Sequence, residues 1–256
     1  MPVEETNQLI AQRREKLDQM RASGIDPFAN EFRPAETAAH AKANFQEGRE
    51  TRVAGRITAL RLMGKSIFCD VTDQTDRIQA YIQKEAVGDS LFETVKHLDL
   101  GDIIGVEGKL FITKTGEKSI KAGKLIVLAK SLRPPPEKWH GLQDIETRYR
   151  QRYLDLMSNP EVRELFFKRS RIVSEIRRFL EGRGYIEVET PMMQAVPGGA
   201  SAKPFITKHE ALGCQFYLRI ALELYLKRLL VGGFEKVFEI GRNFRNEGLS
   251  RKHNPE

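Results

Sequence analysis

Cysteine is scarce in this sequence. Of its 256 residues only Cys69 and Cys214 are cysteines, far apart, and neither has a second Cys or a His at metal-ligand spacing. That excludes a disulfide framework and predicts two reduced, buried thiols behaving as small hydrophobes. Long hydrophobic runs are missing too. No stretch approaches the roughly 18 apolar residues that a spanning helix needs, so a membrane protein is not expected. Nor does Met1-Pro2-Val3-Glu4-Glu5 place a basic flank before an apolar segment, so the expectation is no secretion and a cytoplasmic location.

What the chain does contain fits an ordinary folded protein. With 40% hydrophobic and 30% charged residues it can build one or two cores, which excludes a disordered polymer. The formal charge of +7 is unevenly spread. Residues 1–50 hold 7 basic and 9 acidic side chains, residues 51–133 hold 14 and 10, and residues 134–256 hold 21 and 16. The positive excess lies in the last two blocks, where it favours polyanionic partners.

Periodicity divides the chain into four parts. Residues 1–50 read as a surface helix over Glu5 to Arg21, ending near Ser23-Gly24, followed by an arm poor in apolar periodicity. Over residues 51–133 the period drops to about two. Val53-Gly55-Ile57, Ser66 to Val71, Ile78 to Ile82, Ile103 to Thr113 and Ser119 to Leu128 read as strands, with helical spacing (Leu91, Phe92, Val95, Leu98) between the third and fourth. Five strands in that order suggest an OB-fold barrel, with an SH3-like barrel as the alternative. Pro134-Pro135-Pro136 opens a linker over 134–160.

Asn159-Pro160-Glu161 then reads as the start of a long helix, with an apolar stripe through Val162, Leu165, Phe166, Ile172, Val173, Ile176, Phe179 and Leu180. Beyond it come a short strand closed by Pro191, the Gly-rich loop Pro197-Gly198-Gly199-Ala200, a strand over 216–220, a helix over 222–230 and a strand from Lys236 into Phe244. Connections of this kind argue for a mostly antiparallel sheet flanked by helices over 161–256, and so for an α+β chain.

Three motifs invite a chemical reading, and two of them keep it. Gly64-Lys65-Ser66 hints at a phosphate loop but lacks the required Gly at position 59, where Ala59 stands, and leads into a strand; a hairpin turn accounts for it better. Phe68 and Gln79 fall on adjacent strands with Arg52, Arg56, Arg61 and Lys65 nearby, and could offer a stacking ring, a base-reading amide and phosphate-binding cations, or could simply be core and solvated surface. Phe244-Arg245-Asn246-Glu247, followed by His253-Asn254, places a guanidinium after a strand, where its planar fork could grip a carboxylate and a phosphate together. By pattern alone a surface Arg-Glu pair accounts for it better.

The long helix, the strand ending at Pro191 and the later Phe-Arg-Asn-Glu resemble motifs 1 and 2 of class II aminoacyl-tRNA synthetases. With the barrel, Gly141-Leu142-Gln143-Asp144, Arg148 to Leu156, Glu187 to Met193, Pro197-Gly198-Gly199-Ala200, Leu224-Tyr225-Leu226-Lys227 and Arg245-Asn246-Glu247-Gly248, the chain resembles the bacterial lysyl-tRNA synthetase family from about residue 50 to the end. The resemblance implies an anticodon-binding OB-fold and a catalytic domain that condenses L-lysine with ATP, using Mg²⁺, and acylates tRNA(Lys). It implies anticodon contacts at Phe68, Gln79 and Glu117, the last by pattern only a turn residue. It implies a hold on the lysine α-amino group by Gly199 and Glu223, and contacts to carboxylate and α-phosphate from Arg245. Glu247 belongs to the same catalytic site, and His253 with Asn254 meet ATP. A homodimer through motif 1 is also implied.

Two departures bear on this. Leu222 stands where the family usually has Pro. The sequence stops inside motif 2, before motif 3 and before the carboxylates expected to bind Mg²⁺ and the lysine ε-ammonium, so a fragment inactive by itself, with no metal ligands of its own, is expected. Two other readings stay open: a non-catalytic tRNA-binding module, and a related aspartyl- or asparaginyl-tRNA synthetase. Lysyl ligases that modify translation factors lack the barrel.

Overall fold

A computed structural model describes residues 3–136, 141–248, 250 and 253–256. Met1-Pro2 and linker residues 137–140 lie outside the described residues. The chain divides into two compact units, Met1–Asn159 and Pro160–Glu256. No described helix is long and apolar enough to cross a membrane.

The first unit opens with helices α1 (Val3–Ala22) and α2 (Ala38–Ala43), followed by strands β1 (Glu50–Met63), β2 (Ser66–Thr72) and β3 (Arg77–Gln83). Helices α3 (Lys84–Val87) and α4 (Asp89–Lys96) lead to β4 (Ile103–Ile112) and β5 (Lys118–Ala129). The five strands close a barrel in the order β1-β2-β3-β5-β4, as an OB-fold requires. Alternation drives it: Val53 and Ile57, then Ile67, Cys69 and Val71, then Ile78, Ala80 and Ile82 point inward to one continuous core with Ile104, Val106, Leu110 and Ile120. Gly64, at φ +59, forms the tight turn between β1 and β2, where Met63 faces Ser66, so the Gly-Lys-Ser string is a hairpin turn. Antiparallel ladders join the other neighbours, while β3 meets β5 in parallel over three residue pairs: Gln79 with Ser119, Ala80 with Ile120 and Tyr81 with Lys121.

Helix α1 adds Met20 to this core and is pinned by charge. Arg13 donates to the carbonyls of Ser131, Leu100 and Arg133, and Lys16 pairs with Asp99 at 2.6 Å. Lys130, wholly buried, bridges Asp99 and Asp102. The stretch read as a linker carries α5 (Ile145–Arg150) and α6 (Arg152–Ser158), where buried Asp155 takes Arg148 and Asn159.

The second unit begins with α7 (Pro160–Glu181), whose Pro occupies the first turn, where an N–H has no intrahelical partner. Leu165, Ile172, Ile176 and Phe179 of its stripe are exposed. Strand β6 (Ile186–Glu187) is followed by β7 (Met193–Gln194), β8 (Ile206–His209) and β9 (Cys214–Leu218), then helix α8 (Glu223–Val231) and β10 (Val237–Phe238). β7, β9 and β8 form a three-stranded antiparallel sheet, whereas β10 pairs with β6 in parallel. The three-stranded sheet is antiparallel as expected, and the two-pair ladder is parallel because the long excursion between β6 and β10 brings the chain back in the same direction. Cys214 is exposed at the start of β9, contrary to the expectation of two buried thiols.

Candidate functional site

The barrel brings its three predicted residues into one cleft of about 570 Å³, lined by Phe68, Gln79 and Glu117 with Arg61, Tyr81 and Phe111. Phe68 on β2 stacks on Tyr81 of β3, ring centroids 4.8 Å apart, because the two are cross-strand partners. Their half-buried rings leave an aromatic surface on which a base can lie. Gln79 is buried, and both ends of its amide are engaged: Nε2 donates to Glu117 Oε2 at 3.2 Å and Oε1 accepts from Ser119 Oγ at 3.2 Å. The Glu117 backbone N–H donates to Thr113 Oγ1 across the β4–β5 turn. Arg77 spans Asp70 and Glu117, at 2.7 and 2.9 Å. Asp70, Arg77 and Ser119 had no signal of their own in the sequence; ladder pairing makes Asp70 and Ser119 neighbours of Gln79, and Arg77 shares its face two residues earlier on β3.

In the second unit the remaining residues fall into two groups. Gly199, at φ +90, lies against the start of α8: a Cβ there would stand 3.1 Å from Ala221 Cβ and 3.6 Å from Glu223 Cβ, so the loop carries no side chain where it meets Glu223. Glu223 is exposed in the first turn of α8, and Lys227 one turn on holds its carboxyl below the usual range, keeping it anionic. Leu222, in the departure from family pattern, precedes this first turn with helical backbone angles.

The second group surrounds Arg245. The strand expected to run into Phe244 is regular only at Val237–Phe238, because the backbone beyond it pairs singly with three different segments. Phe244 N–H donates to Arg219 O, Arg245 N–H to Pro255 O and Asn246 N–H to Lys203 O. That fixes the Arg245 backbone on both sides and leaves its side chain exposed. Glu247 Oε1 lies 3.4 Å from Lys203 N, just past the Gly-rich loop. His253 and Ser250 exchange backbone hydrogen bonds and meet again through Nδ1 and Oγ at 2.8 Å, and Asn254 is exposed next to them. Among the described residues no hydrogen bond joins Glu223 to Arg245.

Beneath this group lies a feature the sequence did not signal. Arg219, buried at the end of β9, gives Nη1 to Glu239 Oε1 at 2.5 Å and to Thr190 O at 3.0 Å, and Nε to Arg242 O at 2.8 Å. Thr190 Oγ1 donates to the other Glu239 oxygen at 2.7 Å. Gly241 makes room for it: a Cβ there would stand 2.3 Å from Arg219 Nη2. One guanidinium thus ties the end of the first strand segment to the approach to Arg245.

Among the described residues no three His, Cys, Asp or Glu side chains stand together as a metal site.

Comparison with known proteins agrees with this layout. Residues 51–128 match the family model of the OB-fold nucleic acid binding domain, and residues 144–256 that of the class II tRNA synthetases (D, K and N). The chain is 56% identical to a lysine–tRNA ligase of Pelotomaculum thermopropionicum over 255 residues, 99% of the chain and 50% of that protein. It is 53% identical to one from Moorella thermoacetica and 54% to one from Carboxydothermus hydrogenoformans, each over 258 residues, all of the chain and 53% of the relative. The chain spans about half the length of the curated relatives it matches. With a barrel and a second unit that each match their models, and relatives more than half identical along its whole length, the chain belongs to the class II tRNA synthetases.

Proposed function

We propose that the protein supplies the anticodon-binding barrel and the first part of the catalytic domain of a cytoplasmic lysine–tRNA ligase, which activates L-lysine with ATP and transfers it to tRNA(Lys). The single observation that supports this most is the side-chain-free approach of Gly199 to the start of α8, which leaves the exposed Glu223 carboxylate open to an α-ammonium group. The assignment to lysine, rather than aspartate or asparagine, rests on the likeness to lysine–tRNA ligases.

The reaction is one of positioning and electrostatics. A lysine carboxylate oxygen attacks the α-phosphorus in line, the bond to the β-phosphate oxygen breaks and pyrophosphate leaves. The terminal ribose hydroxyl of tRNA then takes the lysyl group and releases AMP. Arg245 bridges carboxylate and α-phosphate and offsets the charge that grows on the phosphoryl oxygens, with Glu247, His253 and Asn254 on the ATP side. No protein nucleophile takes part. Members of this class use Mg²⁺; the described residues do not assemble a site for it, and we assign none of them to the metal. In the barrel, Phe68 stacks a base, Gln79 reads its edge and Glu117 contacts the neighbouring nucleotide. The exposed stripe of α7 is the face on which a second copy pairs.

Arg245→Ala in an intact ligase carrying this sequence is expected to abolish ATP–pyrophosphate exchange, a loss of about 3 kcal/mol or more of transition-state stabilisation, while tRNA binding survives. Retained exchange refutes the assignment.

A further inference from the structure

We infer that Arg77, acting with Ser119, fixes which way round the Gln79 amide is held and so decides which pyrimidine the barrel accepts; the inference rests on the proposed role of Gln79 as the base reader. A glutamine amide has a donor end and an acceptor end of nearly the same shape, and turning it over exchanges them. Free to turn, it serves any base edge that offers one donor and one acceptor.

Gln79 is not free to turn. An ionised carboxylate only accepts, so only the NH₂ end of the amide can face Glu117 Oε2, at 3.2 Å. Ser119 Oγ stands 3.2 Å from Oε1 at the other end and 3.2 Å from the Glu117 carbonyl, and its one hydrogen, turned to the amide, closes that end on Oε1. Glu117 is itself held: its other oxygen takes Arg77 Nη2 at 2.9 Å, and Arg77 Nη1 is anchored 2.7 Å from Asp70 Oδ2. The Asp70 side chain is only 5% exposed, so its charge is committed to these arginines, with Arg61 Nη2 3.6 Å from the second oxygen. The chain Asp70–Arg77–Glu117–Gln79–Ser119 alternates acceptor and donor from a buried anion to the reading group.

Each end of the amide then keeps one valence unused: a second N–H and a second oxygen lone pair, in fixed order. Uracil presents an N3–H and an O4 acceptor; cytosine presents an N3 acceptor and an amino donor in the same places. The two have opposite polarity, so an amide held one way meets uracil with two hydrogen bonds and cytosine with two clashes of like groups. Arg77 touches no base in this scheme and is a positioning residue.

The test is the binding of the full 256-residue chain to two RNA stem-loops that differ only in a U or a C at the centre of the loop. The parent is expected to prefer U by about tenfold or more. Arg77→Met and Ser119→Ala, each checked for an unchanged melting curve, are expected to bring the ratio close to one. The ratio is the readout because a merely structural loss weakens both RNAs together. Glu117→Gln, whose amide can present either end, is expected to do the same. Any of these variants that melts like the parent and keeps its ratio overturns the inference. A parent that binds both RNAs equally overturns the base-reading role of Gln79 and the inference with it.

Discussion

Arg219 and Glu239 form a buried ion pair, with side chains 1% and 4% exposed, joining the end of β9 to the residue after β10. Removing one member of such a pair leaves the other charge without compensation in a low-dielectric interior. Glu239→Ala is therefore expected to destabilise the second unit by about 3–5 kcal/mol. Urea denaturation followed by circular dichroism checks it: an unmoved transition would mean that the pair contributes nothing.

Acid sensitivity is expected in the arm that precedes the barrel. Burial pushes the Glu36 carboxyl up, but hydrogen bonds from Arg49, Thr51 and His40 outweigh it and hold the group at about 2, below its ordinary value of 4.5. A depressed carboxylate contributes its full stability above the unfolded value and loses it as the pH falls towards the folded one. The melting temperatures of the parent and of Glu36→Gln should differ by a constant amount from pH 7 to about 5, then converge between about 4.5 and about 2. Melting temperatures that diverge over that window would reverse the sign of the argument.

The two thiols should behave differently. Burial pushes the Cys69 thiol up to about 12, with Asp70 and Asp102 adding to the effect, whereas Cys214 is exposed. Since the thiolate is the reactive form, a chromogenic disulfide reagent at pH 8 is expected to titrate one thiol in the folded protein and two in denaturant. Two fast thiols in the native chain would contradict the placement of Cys69.

The barrel was legible because each strand buries one face, which forces inward residues such as Ile78, Ala80 and Ile82 to alternate with others. Helix α7 announced itself through Pro160 at its first turn and its apolar stripe. Helix α2 escaped because Ala38-Ala39-His40-Ala41-Lys42-Ala43 has little apolar periodicity; its signal was the Thr37 hydroxyl, which accepts from His40 N–H. The exposure of Cys214 depends on its place beside the Leu212-Gly213 turn, not on its type. Arg219 with Glu239, and Arg77 with Glu117, could not be read at all, since each pair is made by ladders and loops that bring together residues 20 and 40 positions apart.

Gln79 and Ser119 are also cross-strand neighbours on the shortest ladder of the barrel, the three-pair parallel seam between β3 and β5. A nucleotide bound in the cleft as proposed would brace this shortest join of the ring. Occupancy of the cleft should accordingly slow amide exchange first along this seam, making the whole barrel harder to open with the logarithm of the free ligand concentration.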